Sequence, residues 1–105
     1  MEVVVFWTDT AIGQLDAIFD YYKTRAGESV AQNLIQSVID STIILQSHPE
    51  TGQVEPLLTG RKYQYRYLVS GNYKIIYRLK KSSAIIASVF DCRQNPLKMK
   101  KGLKL

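Results

Sequence analysis

The sequence predicts an α+β fold in which an N-terminal strand and a helical hairpin precede a three-stranded antiparallel meander. Changes in hydrophobic period carry this prediction. Apolar side chains recur at helical spacing between residues 11 and 45, and they alternate with polar side chains from residue 62 onward. A segment rich in proline and glycine, residues 49–60, separates the two patterns and is typical of a loop.

The N-terminal half predicts a strand followed by two helices. Residues 3–7 are β-branched or aromatic and predict a buried strand. The next residues, Thr8 to Thr10, are good helix N-caps, and Gly27 is a plausible end for the first helix. Ser29 is the predicted cap of the second helix, which Pro49 ends. The predicted apolar stripes are Ile12, Leu15, Ile18, Phe19 and Tyr22 in the first helix, and Val30, Leu34, Val38 and Leu45 in the second. The polar side chains opposite the first stripe include Gln14. Because the loop between the helices is short, they should form an antiparallel hairpin.

The C-terminal half predicts three consecutive strands, near residues 62–69, 73–80 and 84–91. A three-residue loop, residues 70–72, would place Val69 opposite Tyr73 and separate two sets of side chains by face. The first set would pack under the helices: Tyr63, Tyr65, Tyr67, Tyr73, Ile75 and Tyr77. The second set would form an open cationic face: Lys62, Arg66, Lys74 and Arg78.

Length and composition limit the class of protein. A chain of 105 residues has room for one domain, residues 1–105, in which residues 97–105 form a short helix or a frayed tail. No apolar stretch is long enough to span a bilayer, so no membrane partner is expected. The single cysteine, Cys92, cannot form an internal disulfide and fits a reducing compartment, so we expect a cytoplasmic protein.

Charge is distributed very unevenly along the chain. Residues 1–60 contain two basic and eight acidic side chains, a balance of −6. Residues 61–105 contain twelve basic side chains against Asp91 alone, a balance of +11. Such a division predicts a polarised surface suited to an acidic partner, although charge alone does not distinguish nucleic acid from an acidic protein.

The residues that could carry chemistry are few. His48 and Cys92 are each the only residue of their type, so no metal site and no cofactor are expected. A cationic cluster remains: Arg61, Lys62, Arg66, Lys74, Arg78 and Arg93. Arginines of such a cluster can clamp phosphates or carboxylates. Metal-independent RNA cleavage would also need a general base, for which Glu55 and Asp91 are the options. The alternative is structural: Glu55 lies at the top of a loop, and Asp91 holds the turn at Cys92 and Arg93.

Four short motifs, in this order and spacing, resemble the RelE/ParE superfamily of toxins from bacterial type II toxin–antitoxin modules. The motifs are His48-Pro49-Glu50-Thr51-Gly52, Glu55-Pro56-Leu57, Gly71-Asn72-Tyr73-Lys74-Ile75-Ile76-Tyr77-Arg78 and Val89-Phe90-Asp91-Cys92-Arg93-Gln94-Asn95-Pro96. The resemblance covers nearly the whole chain. It implies a growth-inhibiting protein that a cognate antitoxin neutralises by laying an acidic or amphipathic segment over it, as a hetero-oligomer; a toxin homodimer is also compatible.

The superfamily contains two activities, and the motifs favour one of them. Its RelE-like and YoeB-like branches cleave messenger RNA on the ribosome, and the YoeB-like glutamate is matched by Glu55. The arginine that these nucleases carry in the middle strand is Lys74 here, and their C-terminal tyrosine has no match in Gln94-Asn95-Pro96. ParE-like members, which poison DNA gyrase by protein contact and are not enzymes, characteristically end the last strand with Arg-Gln, as at Arg93-Gln94.

The resemblance therefore implies a ParE-like toxin with DNA gyrase as its target and no catalytic residues. The residues expected to bind partners are Arg61, Arg66, Lys74, Arg78 and Arg93. The alternative is a ribosome-dependent endoribonuclease, with the ribosome and messenger RNA as partners. Its site would comprise Glu55, Lys74, Arg78, Asp91 and Arg93.

Overall fold

The computed structural model describes residues 2–101, excluding the side chain of Lys101. Its elements are β1 (Val4–Trp7), α1 (Asp9–Ala26), α2 (Glu28–Ser41), β2 (Gln53–Val54), β3 (Arg66–Ser70), β4 (Tyr73–Lys80), β5 (Ser83–Asp91) and α3 (Lys98–Lys101). Short 3-10 turns lie at Ile43–Gln46 and Pro56–Leu58. The predicted strand, helical hairpin and meander are confirmed, and the structure adds β2. The helix α3 lies within residues 97–105, where a short helix or a frayed tail was expected. Residues 102–105 of the predicted C-terminal tail lie outside the described residues. Within the described range, no helix is both long enough and apolar enough to cross a membrane.

The helical hairpin begins and ends at residues with clear local reasons. The Oγ1 of Thr8 accepts a hydrogen bond from the Ala11 amide at 3.2 Å, which makes Thr8 the N-cap of α1. Gly27 has a φ of 99° and follows the last residue of α1, as predicted. It also occupies the N-cap position of α2, where no side chain caps the helix. The predicted cap at Ser29 is therefore wrong, because α2 starts directly after this shared glycine.

The buried faces of the helices are rotated slightly from the predicted stripes. Leu15 and Val38 are buried as expected, but Ile12 and Val30 are about half exposed. Their sequence neighbours Ala11 and Ala31 are fully buried instead. Small side chains allow close packing of backbones, so the alanines occupy the places that the larger residues were predicted to fill.

The sheet has the strand order β1-β5-β4-β3-β2, in which β1 pairs with β5 in parallel and all other pairs are antiparallel. The strand β1 therefore lies at an edge. Val5 and Trp7 pack against the core, whereas Val4 and Phe6 are 64% and 56% exposed. The prediction of a fully buried strand is wrong for this reason: only one face of β1 is covered by the helices.

The predicted register of the meander is also wrong. Ser70 pairs with Tyr73 across a two-residue turn, so Val69 lies opposite Lys74. The tyrosines consequently divide between the helix-facing side of the sheet and its reverse side, here called the second face. The helical side buries Tyr73, Ile75 and Tyr77, and the second face buries Tyr65, Ile76 and Phe90. Leu58 and Met99 complete this smaller core, so the second face is not the open cationic surface that was predicted.

A hydrogen bond close to a β-bulge joins α1 to β5. Tyr77 pairs with Ile86 whereas Ile76 pairs with Ser88, which leaves Ala87 as the extra residue. The side chain of Gln14 accepts a hydrogen bond from the Val89 amide at 2.6 Å next to this bulge. Gln14 was predicted to face water; it instead satisfies a backbone donor of β5 beyond the end of the paired strand β1.

Candidate functional site: a basic recognition surface

The structure divides the predicted cationic cluster among separate locations. Lys74 and Arg78 lie on the second face of the sheet, because they alternate with the helix-facing residues of β4. Arg66, on β3, reaches the loop before β2, and Arg93 follows β5 beside α1. The guanidinium of Arg61 donates to the carbonyl oxygen of Lys100 at 2.8 Å and so contacts α3.

Glu55 and Lys74 form a partly enclosed ion pair on the second face. Oε2 of Glu55 lies 2.9 Å from Nζ of Lys74, and the exposed fractions of these side chains are 0% and 24%. The other carboxylate oxygen of Glu55 accepts a hydrogen bond from the Leu57 amide at 3.1 Å. This contact caps the 3-10 turn at Pro56–Leu58. Both carboxylate oxygens of Glu55 are therefore engaged by neighbouring groups.

Two tyrosine rings beside this pair make cation–π contacts with basic side chains. Nζ of Lys74 lies 4.2 Å from the ring centroid of Tyr67, and Cζ of Arg78 lies 3.9 Å from that of Tyr63. The Lys62 ammonium lies 5.4 Å from the same Tyr63 ring. Each contact stabilises the cation by roughly 0.5–1 kcal/mol at an exposed site. The Tyr63 ring therefore holds Arg78 in place without neutralising it, whereas Lys74 is also paired with Glu55.

Arg66 supports the loop formed by residues 48–52. Its Nη1 donates to the Gly52 carbonyl oxygen at 2.8 Å. The buried hydroxyl of Tyr77 donates to the Pro49 carbonyl oxygen at 2.8 Å and accepts from the Gly52 amide at 2.9 Å. A Cβ on Gly52 would lie 2.6 Å from that hydroxyl, so only glycine fits there. These contacts explain the first sequence motif as a structural loop.

Arg93 binds Asp91 and a helix tyrosine at once. Its Nε and Nη2 donate to the two Asp91 oxygens at 3.0 and 2.8 Å, and its backbone amide donates to Oδ1 at 2.9 Å. The Arg93 hydrogen bonds lower the pKa of Asp91. The Tyr22 hydroxyl accepts from Nη2 at 3.2 Å, and this bond lowers the pKa of Tyr22. Burial raises the pKa of neighbouring Tyr73. Asp91 thus holds the turn at Arg93, as the structural alternative predicted.

A groove of about 520 Å³ lies between α1, the end of β5 and the segment leading to α3. Ile18, Val89 and Met99 are among its apolar lining residues, and Arg93 and Lys98 contribute cations. Tyr21, which is half exposed, also lines it. Tyr22 was assigned to the apolar stripe of α1, and its link to Arg93 was missed. A tyrosine at the end of an amphipathic stripe was the available signal, because its hydroxyl needs a polar partner.

The remaining chemistry-bearing residues do not join these clusters. His48 is exposed and its Nδ1 lies 2.9 Å from the Ser47 hydroxyl, and Cys92 is an exposed free thiol. Among residues 2–101, no group of three or more histidine, cysteine, aspartate or glutamate side chains could hold a metal ion.

Comparisons with known proteins identify the family. No curated protein matches the sequence. A solved structure of the chromosomal ParDE toxin–antitoxin system from P. aeruginosa is similar in fold, with a TM-score of 0.72 and 23% sequence identity. The match covers 85% of this chain and 95% of that one. The model of the family described as ParE toxin of type II toxin–antitoxin system, parDE, matches residues 5–96. The chain therefore belongs to the ParE family of type II toxins, whose partner is a cognate antitoxin.

Proposed function

We propose that this toxin inhibits growth by poisoning DNA gyrase through direct protein contact, and that its antitoxin neutralises it by covering the basic surface. Gyrase poisoning is the activity associated with the family to which the chain belongs. The observation that favours contact over catalysis concerns Glu55 and Asp91, the two carboxylates that could act as general bases: both are engaged by other groups of the protein.

Both carboxylates are held by hydrogen bonds and ion pairs within the protein. Glu55 is enclosed between Lys74 and the Leu57 amide, and its side chain is fully buried. Asp91 is bound by the side chain and the backbone amide of Arg93. A general base must reach the proton that it removes. The Glu55 side chain is fully buried, and both Asp91 oxygens are engaged by Arg93. This geometry supports a role in binding over one in RNA cleavage.

Fewer cations are available to bind an antitoxin than the five that were predicted. Arg66 donates to loop carbonyl oxygens and Arg61 to the Lys100 carbonyl oxygen. Lys74 is paired with Glu55, and Arg93 with Asp91. Arg78 stacks on Tyr63, and no carboxylate among residues 2–101 lies within ion-pair distance of it. Of the five predicted cations, we therefore assign Arg78 as the main electrostatic contact with the antitoxin. Arg93 is a second contact, because it lines the groove.

The test is induced expression without antitoxin, read together with a supercoiling assay on purified gyrase. We expect growth arrest, accumulation of cleaved DNA in the gyrase assay, intact messenger RNA and DNA-damage signalling. The Glu55→Gln variant separates the two activities, because a fold that survives this change should still arrest growth if the toxin works by contact. Codon-positioned cleavage of messenger RNA, abolished in folded Glu55→Gln, would instead establish the endoribonuclease alternative.

A further inference from the structure

The two sides of the sheet carry opposite charge. The helical hairpin covers one side and holds five acidic residues against Lys23 and Arg25; these are Asp9, Asp16, Asp20, Glu28 and Asp40. On the second face, the carboxylate of Glu55 is already paired with Lys74. That face carries three further basic residues, here called the second-face cations: Lys62, Arg78 and Lys80. The positive charge of this face is therefore separated from the negative charge of the hairpin by the thickness of the sheet.

Two of the second-face cations share one aromatic ring. The Tyr63 ring centroid lies 3.9 Å from Cζ of Arg78 and 5.4 Å from Nζ of Lys62. These distances keep the two cations within the Debye length of about 10 Å at 0.1 M salt, so they repel each other. Among residues 2–101, no carboxylate lies within ion-pair distance of either one. An anion that bridges the two would remove this repulsion, and the planar fork of arginine suits a phosphate group.

Lys80 extends the anion site along β4. Arg78 and Lys80 lie two residues apart on the same face, so their Cα atoms are about 7 Å apart. The phosphates of one DNA strand follow one another at about 3.4 Å along the helix axis, so the two side chains can meet different phosphates of the same strand. The register places Ser83 beside Lys80, and serine hydroxyls are common donors to phosphate oxygens.

We propose that the second-face cations bind the phosphate backbone of duplex DNA, and that the toxin makes this contact on DNA held by gyrase. Duplex DNA is favoured over an acidic peptide because its phosphates are already in a rigid row, whereas a peptide must first be ordered. Phosphate contacts position a protein without reading the base sequence, so this contact has no sequence preference.

This inference rests on the proposed function and adds DNA as a partner of the toxin. The acidic hairpin would face away from the duplex, which fixes the side of the toxin that approaches it. An antitoxin that covers the basic surface would then neutralise the toxin by removing its contact with DNA.

The experiment measures binding of purified toxin to a short labelled DNA duplex of mixed sequence by fluorescence anisotropy across a salt series. Three phosphate contacts predict a slope of about −3 for the logarithm of affinity against that of salt concentration. We expect Lys62→Gln, Arg78→Gln and Lys80→Gln each to bring the slope about one unit nearer zero and to weaken binding. Lys62 and Lys80 are exposed, so their variants should fold normally.

Arg25→Gln is the matched control. It also removes an arginine that stacks on a tyrosine, since Cζ of Arg25 lies 4.4 Å from the Tyr21 ring centroid, but this pair lies on α1. Its affinity and its salt slope should equal those of the wild type. In a gyrase assay, the double variant Lys62→Gln/Lys80→Gln should bind gyrase normally without DNA but trap less cleaved DNA.

The outcomes separate this inference from the proposed function. If the variants bind the duplex as the wild type does, or trap as much cleaved DNA, the DNA contact is overturned while gyrase poisoning stands. If the wild type traps no cleaved DNA but binds the duplex with the expected slope, the proposed function fails and the DNA-binding surface stands. If a polyglutamate peptide or a single-stranded RNA binds at least about tenfold more tightly than the duplex, the surface serves that partner and its assignment to DNA is wrong.

Discussion

At the scale of single residues, the Glu55–Lys74 pair affects how mutations at the alternative endoribonuclease site should be interpreted. Its two members are separated by 19 positions in sequence and meet only because the loop after β2 crosses the second face. A variant that loses toxicity through this pair could therefore have lost its fold and not a catalytic group. Stability measurements on the same variants separate the two causes.

We expect Lys74→Met to destabilise the protein by about 3 kcal/mol, because it leaves the buried Glu55 carboxylate without its cation. Lys62→Met is the matched control. It removes a lysine that also contacts a tyrosine ring but has no ion pair among the described residues, and it should cost less than about 1 kcal/mol. Urea denaturation at neutral pH measures both. Equal and small losses in the two variants would show that the Glu55–Lys74 pair contributes little.

Tyr77 and Gly52 show what residue patterns alone could not predict. The alternation of β4 placed Tyr77 in the core, which is correct, but its hydroxyl partners lie 25 and 28 residues earlier in the loop. The sequence marked Gly52 only as part of a loop signal. Its actual constraint is the close approach of the Tyr77 hydroxyl, which depends on tertiary structure.

At the scale of elements, the turn after β5 is held by one charged contact. Arg93 binds Asp91 and reaches Tyr22 on α1, so the pair connects the end of the sheet to the first helix. The pKa of Asp91 is lowered in the folded protein, chiefly by the Arg93 hydrogen bond. The folded state therefore favours the ionised carboxylate more than the unfolded state does.

This shift predicts a specific acid dependence. The contribution of Asp91 to stability is present above its unfolded pKa of about 3.9 and is lost as the pH falls through the lower folded value. Asp91→Asn should be less stable than the wild type at neutral pH, and the difference should shrink below about pH 4. A titration of the Asp91 carboxyl by NMR checks the cause: its pKa should rise toward the ordinary value in Arg93→Gln. A pKa unchanged by that substitution would mean that Arg93 does not hold the carboxylate.

The elements themselves were largely predictable, whereas their register was not. The helical period located α1 and the alternating period located β4, whereas the apolar run from Ala84 located β5. The register of β3 was assigned on the assumption of one apolar face. The protein instead has a second small core around Ile76 and Phe90, so tyrosines pack against apolar residues on both faces of the sheet. A pattern within one strand does not reveal that its reverse face is covered by distant segments such as α3.

At the scale of the whole molecule, the sequence shows a strong charge asymmetry, but its cations are not grouped into the one site that was predicted. The cations behind the balance of +11 in residues 61–105 lie on β3 and β4, in the connecting segments, and from α3 onward, whereas β5 contributes only Asp91. Several of these cations are used internally, by Glu55, by Asp91 and by the loop carbonyls near Gly52. The net field of this half nevertheless remains positive, and a field acts on the rate of encounter more than on the bound complex.

Arg78 offers the clearest test of this field, because its guanidinium stacks on Tyr63 without a carboxylate partner among the described residues. We expect Arg78→Glu to slow association with the antitoxin by roughly tenfold at low salt, since it changes the local charge by two units. At physiological ionic strength, where the Debye length is about 8 Å, the difference should narrow. The association rate of Arg78→Gln should fall between those of the wild type and Arg78→Glu.

The control is Lys23→Glu, a charge reversal on α1 within the acidic half, which should leave the association rate nearly unchanged. Stopped-flow association across a salt series measures all four proteins. Equal slowing by Lys23→Glu would mean that net charge alone drives encounter, and equal rates for all would mean that the antitoxin approaches elsewhere.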